Sequence, residues 1–172
     1  PSGDYFGTFA VTTGIGIEPW IDKFEQDHDD YNSILLKALA DRLAEAFAER
    51  LHERVRKELW AYAPHEILTS DELIHEKYQG IRPAPGYAAC PDHTLKPQIW
   101  QLLDVEKNTG ITLTESYAMY PTAAVSGFYF ASPYAKYFGV GKIQKDQVEA
   151  LAKTKVLSVA EMERWLGPNL SY

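Results

Sequence analysis

The residues best suited to chemistry stand together in one run, Arg82-Pro-Ala-Pro-Gly-Tyr-Ala-Ala-Cys-Pro91. Pro83, Pro85 and Pro91 each fix φ and remove a backbone donor, so neither a helix interior nor a central strand can pass through. Each proline also pushes the residue before it toward extended geometry, and Gly86 permits a sharp reversal. The run predicts a stiff, irregular strip that leaves backbone groups free for a ligand. Arg82 adds a permanent cation with a planar fork matched to a carboxylate or phosphate. Tyr87 adds a flat amphipathic ring. One cation and one aromatic on a rigid strip suit a small zwitterionic ligand. The plain alternative is a loop crossing between two elements, with Arg82 tied to a buried carboxylate.

Other reactive groups are sparse. No nucleophile stands beside a base, so no catalytic residue is assigned. Cys90 reads as a small packed side chain, and its spacing to His93 gives only half a zinc site. No other cysteine exists and the remaining histidines are scattered, so no metal is expected. His28, His52, His65 and His75 lie in charged helical surroundings and read as surface residues. Gly14-Ile15-Gly16 has the start of a dinucleotide fingerprint but lacks the third glycine and runs into Glu18-Pro19. Glu45 is a carboxylate crowded by Leu43-Ala44 and Phe47-Ala48, which sets it apart from the solvated charges around it.

These residues must be positioned by elements legible from pattern. Tyr5 to Thr13 is rich in aromatic and β-branched residues and predicts a strand. Pro19 to His28 predicts a short helix. From Asp30 to Tyr62, Leu36, Ala40, Leu43, Phe47, Leu51, Val55 and Leu59 recur at spacings of three and four, a helical stripe capped by Asp29 and Asp30. Thr69-Ser-Asp-Glu72 is a capping box opening a helix to about Tyr78, and Thr94 opens another through Lys107. Ile111 to Glu115 is a short strand. Ala124 to Ala131 and Lys136 to Lys142 predict the two strands of a hairpin, with Gly127 marking a close backbone approach. Asp146 to Lys155 and Ser158 to Trp165 are helices, the second opened by a capping box. The expected fold is α+β: a twisted antiparallel sheet with packed helices, including one long amphipathic helix.

Composition narrows the class. The 172 residues suit one domain with a real core, and a 45% hydrophobic, 24% charged balance is ordinarily globular. A net charge of −7 argues against nucleic acid or an anionic membrane as partner. A single cysteine excludes an internal disulfide and suggests a reducing compartment, here the cytoplasm. No apolar run approaches the roughly 20 residues of a membrane span. The opening Pro-Ser-Gly, without a methionine, suggests a piece of something larger.

The wording of the central run is specific. Gly80-Ile-Arg-Pro-Ala-Pro-Gly-Tyr-Ala-Ala-Cys-Pro-Asp-His93 resembles the S-adenosylmethionine-binding signature of the C-terminal activation domain of cobalamin-dependent methionine synthase. Asp4 to Thr13, Asp30 to Lys57, Leu113-Thr-Glu-Ser116, Val125-Ser-Gly127 and Trp165-Leu-Gly-Pro-Asn169 resemble that family in the same order. Residues 1–172 are accordingly similar to the C-terminal half of that domain. One departure is Ala88, where the family usually has proline.

The resemblance implies an S-adenosylmethionine site made by Arg82, Ala84, Pro85, Gly86, Tyr87 and Ala89, joined by Tyr137 and Phe138 and by Glu45 on the long helix. Glu76 is a further carboxylate suited to the ligand's cationic groups. It implies cobalamin as a second cofactor, carried by the cobalamin-binding domain of the same enzyme, and a flavodoxin or flavoprotein reductase as electron donor. The implied role is reductive remethylation of cob(II)alamin, as part of a methyltransferase whose methionine-forming turnover happens on other modules. The stretch alone is not expected to make methionine, and an acidic residue upstream of Pro1 is expected to complete the groove. Two other readings stay open: a non-enzymatic docking module with an incomplete ligand site, and a free-standing methyltransferase, disfavoured by the missing glycine fingerprint.

Overall fold

The computed structural model describes residues 4–172, a mixed helix-and-sheet fold. Strand β1 (Gly7–Thr12) contributes Phe9 and Val11 to the core, two residues apart on one face of the pleat. They pack with Ala48, Val55 and Tyr129. Helix α1 (Glu18–Gln26) carries proline in its first turn, where the missing donor costs nothing. Helix α2 (Asp30–Arg54) starts where the Asp29 side chain accepts from the Asn32 N–H at 3.1 Å. It runs on into a π-helical turn at Val55–Leu59.

The stripe expected on α2 is rotated. Ala40, Ala44, Ala48 and His52, each four residues apart, form the buried edge, whereas Leu43 is 51% exposed and Phe47 46%. The helix lies against both β1 and the strand paired with it. Small side chains on the inner edge let the two backbones approach; Leu35, Leu39 and Leu43 are turned outward, while Leu51 still packs on the core.

The Thr69–Glu72 capping box forms, but the helix it opens, α3 (Ser70–Ile74), stops short of Tyr78. The helix expected from Thr94 to Lys107 is interrupted. Asp92, not Thr94, caps a 3₁₀ turn at His93–Leu95, then α4 (Lys96–Leu103) ends where Asp104 takes a left-handed φ of 47°. Helix α5 (Val105–Thr109) follows and closes at Gly110. Strand β2 (Thr112–Leu113) pairs antiparallel with β3 (Met119–Tyr120).

Strand β4 (Ala124–Tyr129) pairs antiparallel with β1, from Gly7 opposite Tyr129 to Thr12 opposite Ala124. The expected hairpin with residues 136–142 does not form. On its other edge β4 meets the proline run: the Phe128 N–H donates to Pro83 O at 2.9 Å, and Ile81 and Phe130 exchange two bonds of 3.0 Å. With both edges of β4 taken, residues 136–142 have no ladder to join. They cross over the proline run instead, where the Val140 N–H donates to Ala88 O at 2.9 Å.

Helices α6 (Lys145–Lys155) and α7 (Val159–Leu166) pack through Val148, Ala152, Met162 and Leu166. Ser158 and Glu161 form the expected capping box of α7. Lys155 ties this pair of helices to the centre of the molecule through an ion pair with Asp92. Among the described residues no helix is long and apolar enough to cross a membrane.

Candidate functional site

The proline run is seated by the absence of a side chain. A Cβ at Gly127 would stand 2.5 Å from Pro83 O and 3.3 Å from Ala84 Cα, so only glycine lets the run lie directly on β4. The reversal comes at Gly86, with φ at +101° and the His93 ring packed where a Cβ would point. Its N–H donates to Cys90 O at 2.7 Å, and the Cys90 N–H donates back to Tyr87 O at 2.8 Å. Burial, and secondarily the Asp92 carboxylate, push the Cys90 thiol up from its ordinary value, as befits a packed side chain rather than a thiolate.

Above this strip lies a cavity of about 510 Å³. Glu45 reaches it from α2, Arg82, Ala84, Tyr87 and Ala89 from the proline run, and Tyr137 and Phe138 from the crossing segment. The structure therefore gathers most of the residues singled out from sequence. Pro85 and Gly86 do not line the cavity; Pro85 is buried beneath it and Gly86 turns against His93. Glu76 does line it. Phe9 and Val125, from β1 and β4, were not foreseen. Their signal was position: each lies on a strand beside a residue already read as structural, and only the pairing of β1 with β4 brings them under the loop. A second cavity of about 440 Å³ adjoins the first, sharing Glu45, Tyr87 and Val125 and adding Asp41 and Arg42.

Arg82 is both tied inward and presented to the cavity. Its Nη1 donates to the Tyr78 hydroxyl at 2.7 Å and to His52 Nδ1 at 3.3 Å, and its Nη2 to Glu49 Oε2 at 3.1 Å. Its backbone N–H donates to the Tyr137 hydroxyl at 2.8 Å, so the crossing segment is pinned to the run at a second point. Behind this, Arg56 is fully buried and grips Glu66 through both Nε and Nη2, at 2.7–3.0 Å. The Arg56 guanidinium also lies 4.4 Å from the Tyr78 ring centre.

His52, expected on the surface, is fully buried, stacked on Tyr129 at 5.1 Å between centroids. The charged residues around it face solvent, but His52 sits on the alanine edge of α2, four residues beyond Ala48. Burial first, then the charges of Arg56 and Arg82, lower its pKa from 6.5 to about 3. The folded protein thus refuses a proton that the unfolded chain accepts below about pH 6.5. The stability this confers is complete above that pH and is lost progressively as pH falls toward about 3, by up to about 1.4 kcal/mol per unit. Urea unfolding between pH 7 and 5 should show this slope, reduced in His52→Asn; an equal slope in both would contradict it.

Ala88 occupies the second position of the Tyr87–Cys90 turn, where proline is favoured. Its φ is not positive and its N–H donates to no acceptor among the described residues. Ala88→Pro should therefore stabilise the protein by about 0.4–1 kcal/mol through the unfolded state. A thermal midpoint that drops would show a backbone incompatible with proline.

Two comparisons bear on this geometry. The family model of the vitamin B12 dependent methionine synthase activation domain matches residues 1–156. A crystal structure of the MetH reactivation domain bound to AdoHcy superposes with a TM-score of 0.95 at 64% sequence identity. The match covers 98% of this chain and 52% of that one, so the chain spans about half the length of the solved domain. The proline run, the fold that seats it and the extent of both matches agree: this chain belongs to the family of vitamin B12 dependent methionine synthase activation domains.

Proposed function

We propose that this chain binds S-adenosylmethionine in the cavity over the proline run and presents its methyl group for reductive remethylation of cobalamin. One observation carries the reading. A guanidinium with free donors, two carboxylates and four aromatic rings converge on a single cavity, in a chain 64% identical to a domain solved with AdoHcy. The cavity's 510 Å³ falls within the roughly 300–1,000 Å³ usual for small-molecule sites.

The residues divide the ligand by charge. Arg82 receives the carboxylate, because its Nε–H and one Nη2 hydrogen have no partner among the described residues. Glu45 and Glu76 face the ammonium and sulfonium. Tyr87, Tyr137 and Phe138 offer faces to the adenine and, by cation–π attraction, to the sulfonium. Ala84, Pro85, Gly86 and Ala89 hold the strip on which these groups are mounted. The sulfonium supplies an already activated methyl, and the acceptor is the cobalt of cobalamin on another module. No acid or base is required of this chain; its contribution is to bind, orient and exclude water.

The partners that follow are a cobalamin-binding module of the same enzyme and a flavodoxin or flavoprotein reductase. The single cysteine fits a reducing, cytoplasmic setting. Mixing the chain with a module loaded with cob(II)alamin, a reduced flavodoxin as one-electron donor and S-adenosylmethionine should produce the visible spectrum of methylcobalamin, with AdoHcy as the leaving product. Omitting any one component, or asking the chain alone to make methionine, should give nothing. Failure of the chain to bind S-adenosylmethionine would favour a docking role instead.

A further inference from the structure

Arg82 is the cation of the site, yet a guanidinium on a flexible stem binds a carboxylate well only if its fork is aimed. Two neutral groups do the aiming. The Tyr78 hydroxyl, 2.7 Å away, and His52 Nδ1, 3.3 Å away, each accept from Nη1 and so occupy both of its hydrogens. Accepting at Nδ1 leaves the His52 proton on Nε2, which faces the Tyr62 hydroxyl at 3.2 Å. Both acceptors belong to buried residues, His52 with no exposed surface and Tyr78 with 7%. Each is locked in turn: His52 stacks on Tyr129 and meets Tyr78 edge-on at 5.0 Å, and Tyr78 lies under the Arg56 guanidinium.

The neutrality of both acceptors matters. A second carboxylate in place of His52 would hold Arg82 as firmly but would compete for its charge. Glu49 already draws on one Nη2 hydrogen at 3.1 Å; uncharged acceptors at Nη1 fix the direction of the fork without neutralising the cation further. With Nη1 saturated, the donors left over are the Nε–H and one Nη2 hydrogen, and Nε and Nη2 form the same guanidinium edge with which Arg56 grips Glu66.

We infer that His52 and Tyr78 are positioning residues for ligand recognition, turning the Nε/Nη2 edge of Arg82 toward the cavity to receive the carboxylate of a sulfonium or thioether amino acid. The inference rests on the reading of Arg82 given above and adds residues that touch no ligand themselves.

The test compares two ligands across variants of this chain. AdoHcy carries the carboxylate; decarboxylated AdoHcy keeps the amine and lacks only that group. The unchanged chain should prefer AdoHcy. His52→Leu should narrow that preference about tenfold, the effect of misdirecting one charged hydrogen bond, with little change toward the decarboxylated ligand. His52→Asn, whose Oδ1 can replace the Nδ1 acceptor, should restore most of it. Tyr78→Phe removes only a hydroxyl and should narrow the preference in the same way, so the inference stays testable if His52→Leu does not fold. Equal losses for both ligands would make His52 and Tyr78 merely structural and overturn the inference while leaving the role of Arg82 standing. No preference for AdoHcy in the unchanged chain would overturn that role and the inference with it.

Discussion

Arg82→Ala should weaken binding of S-adenosylmethionine and AdoHcy by ten- to hundredfold, corresponding to about 1.5–3 kcal/mol for a lost charged hydrogen bond. The effect should not be confined to the ligand. His52 Nδ1 has no exposure to water and loses its donor, while Tyr78 and Glu49 lose theirs at less buried positions. An orphaned buried acceptor costs about 1–3 kcal/mol, so the thermal midpoint should fall as well. The inward bonds of Arg82 thus make the substitution felt by the fold as well as by the ligand. Arg82→Lys separates the two effects, since it keeps the charge and loses the fork. Titration calorimetry should place it between the two. A dissociation constant for Arg82→Ala equal to that of the unchanged chain would remove Arg82 from the site.

Glu66→Ala should produce the largest loss of stability. Its carboxylate is gripped by a guanidinium with no solvent exposure. Removing one member of a buried pair leaves an uncompensated charge and costs about 3–5 kcal/mol, a large part of the roughly 5–15 kcal/mol that holds a domain together. The consequence should reach the cavity, because Arg56 lies against the Tyr78 ring and Tyr78 holds Arg82. The double substitution Arg56→Met with Glu66→Leu removes both charges and should recover most of the loss. Urea unfolding of the single and double variants checks this; a double variant as unstable as Glu66→Ala would show that the charge is not the cause.

Local features of this fold were legible in the sequence. The proline run, the glycine of its turn and the capping boxes at Thr69 and Ser158 are determined by neighbours within a few residues, and each stands where its pattern put it. What was not legible depended on distant partners. The strand at Ala124 was assigned to the nearest strand-like segment in sequence, but β1, more than a hundred residues away, takes that edge. The face of α2 was read from its leucines, although the closeness of the sheet favours its alanines. His52 was hidden by the charged side chains around it, and only the spacing from Ala40, Ala44 and Ala48 marked it as inward. The lining of the cavity was readable as a set of residue types; the cradle behind Arg82 was not, because His52 and Glu49 meet it only through the packing of α2 on the sheet, and Tyr78, though only four residues before Arg82, lies beyond the end of α3 in a stretch whose pattern predicts helix.

The central claim is that the cavity over the proline run holds an adenosylated amino acid. Titrating this chain with AdoHcy while following backbone amide resonances addresses it most directly. The account predicts one saturable site, displaced by S-adenosylmethionine, with the largest shifts at Arg82, Ala84, Tyr87, Ala89, Tyr137 and Phe138. Shifts that fail to saturate, or that cluster away from these residues, would contradict it.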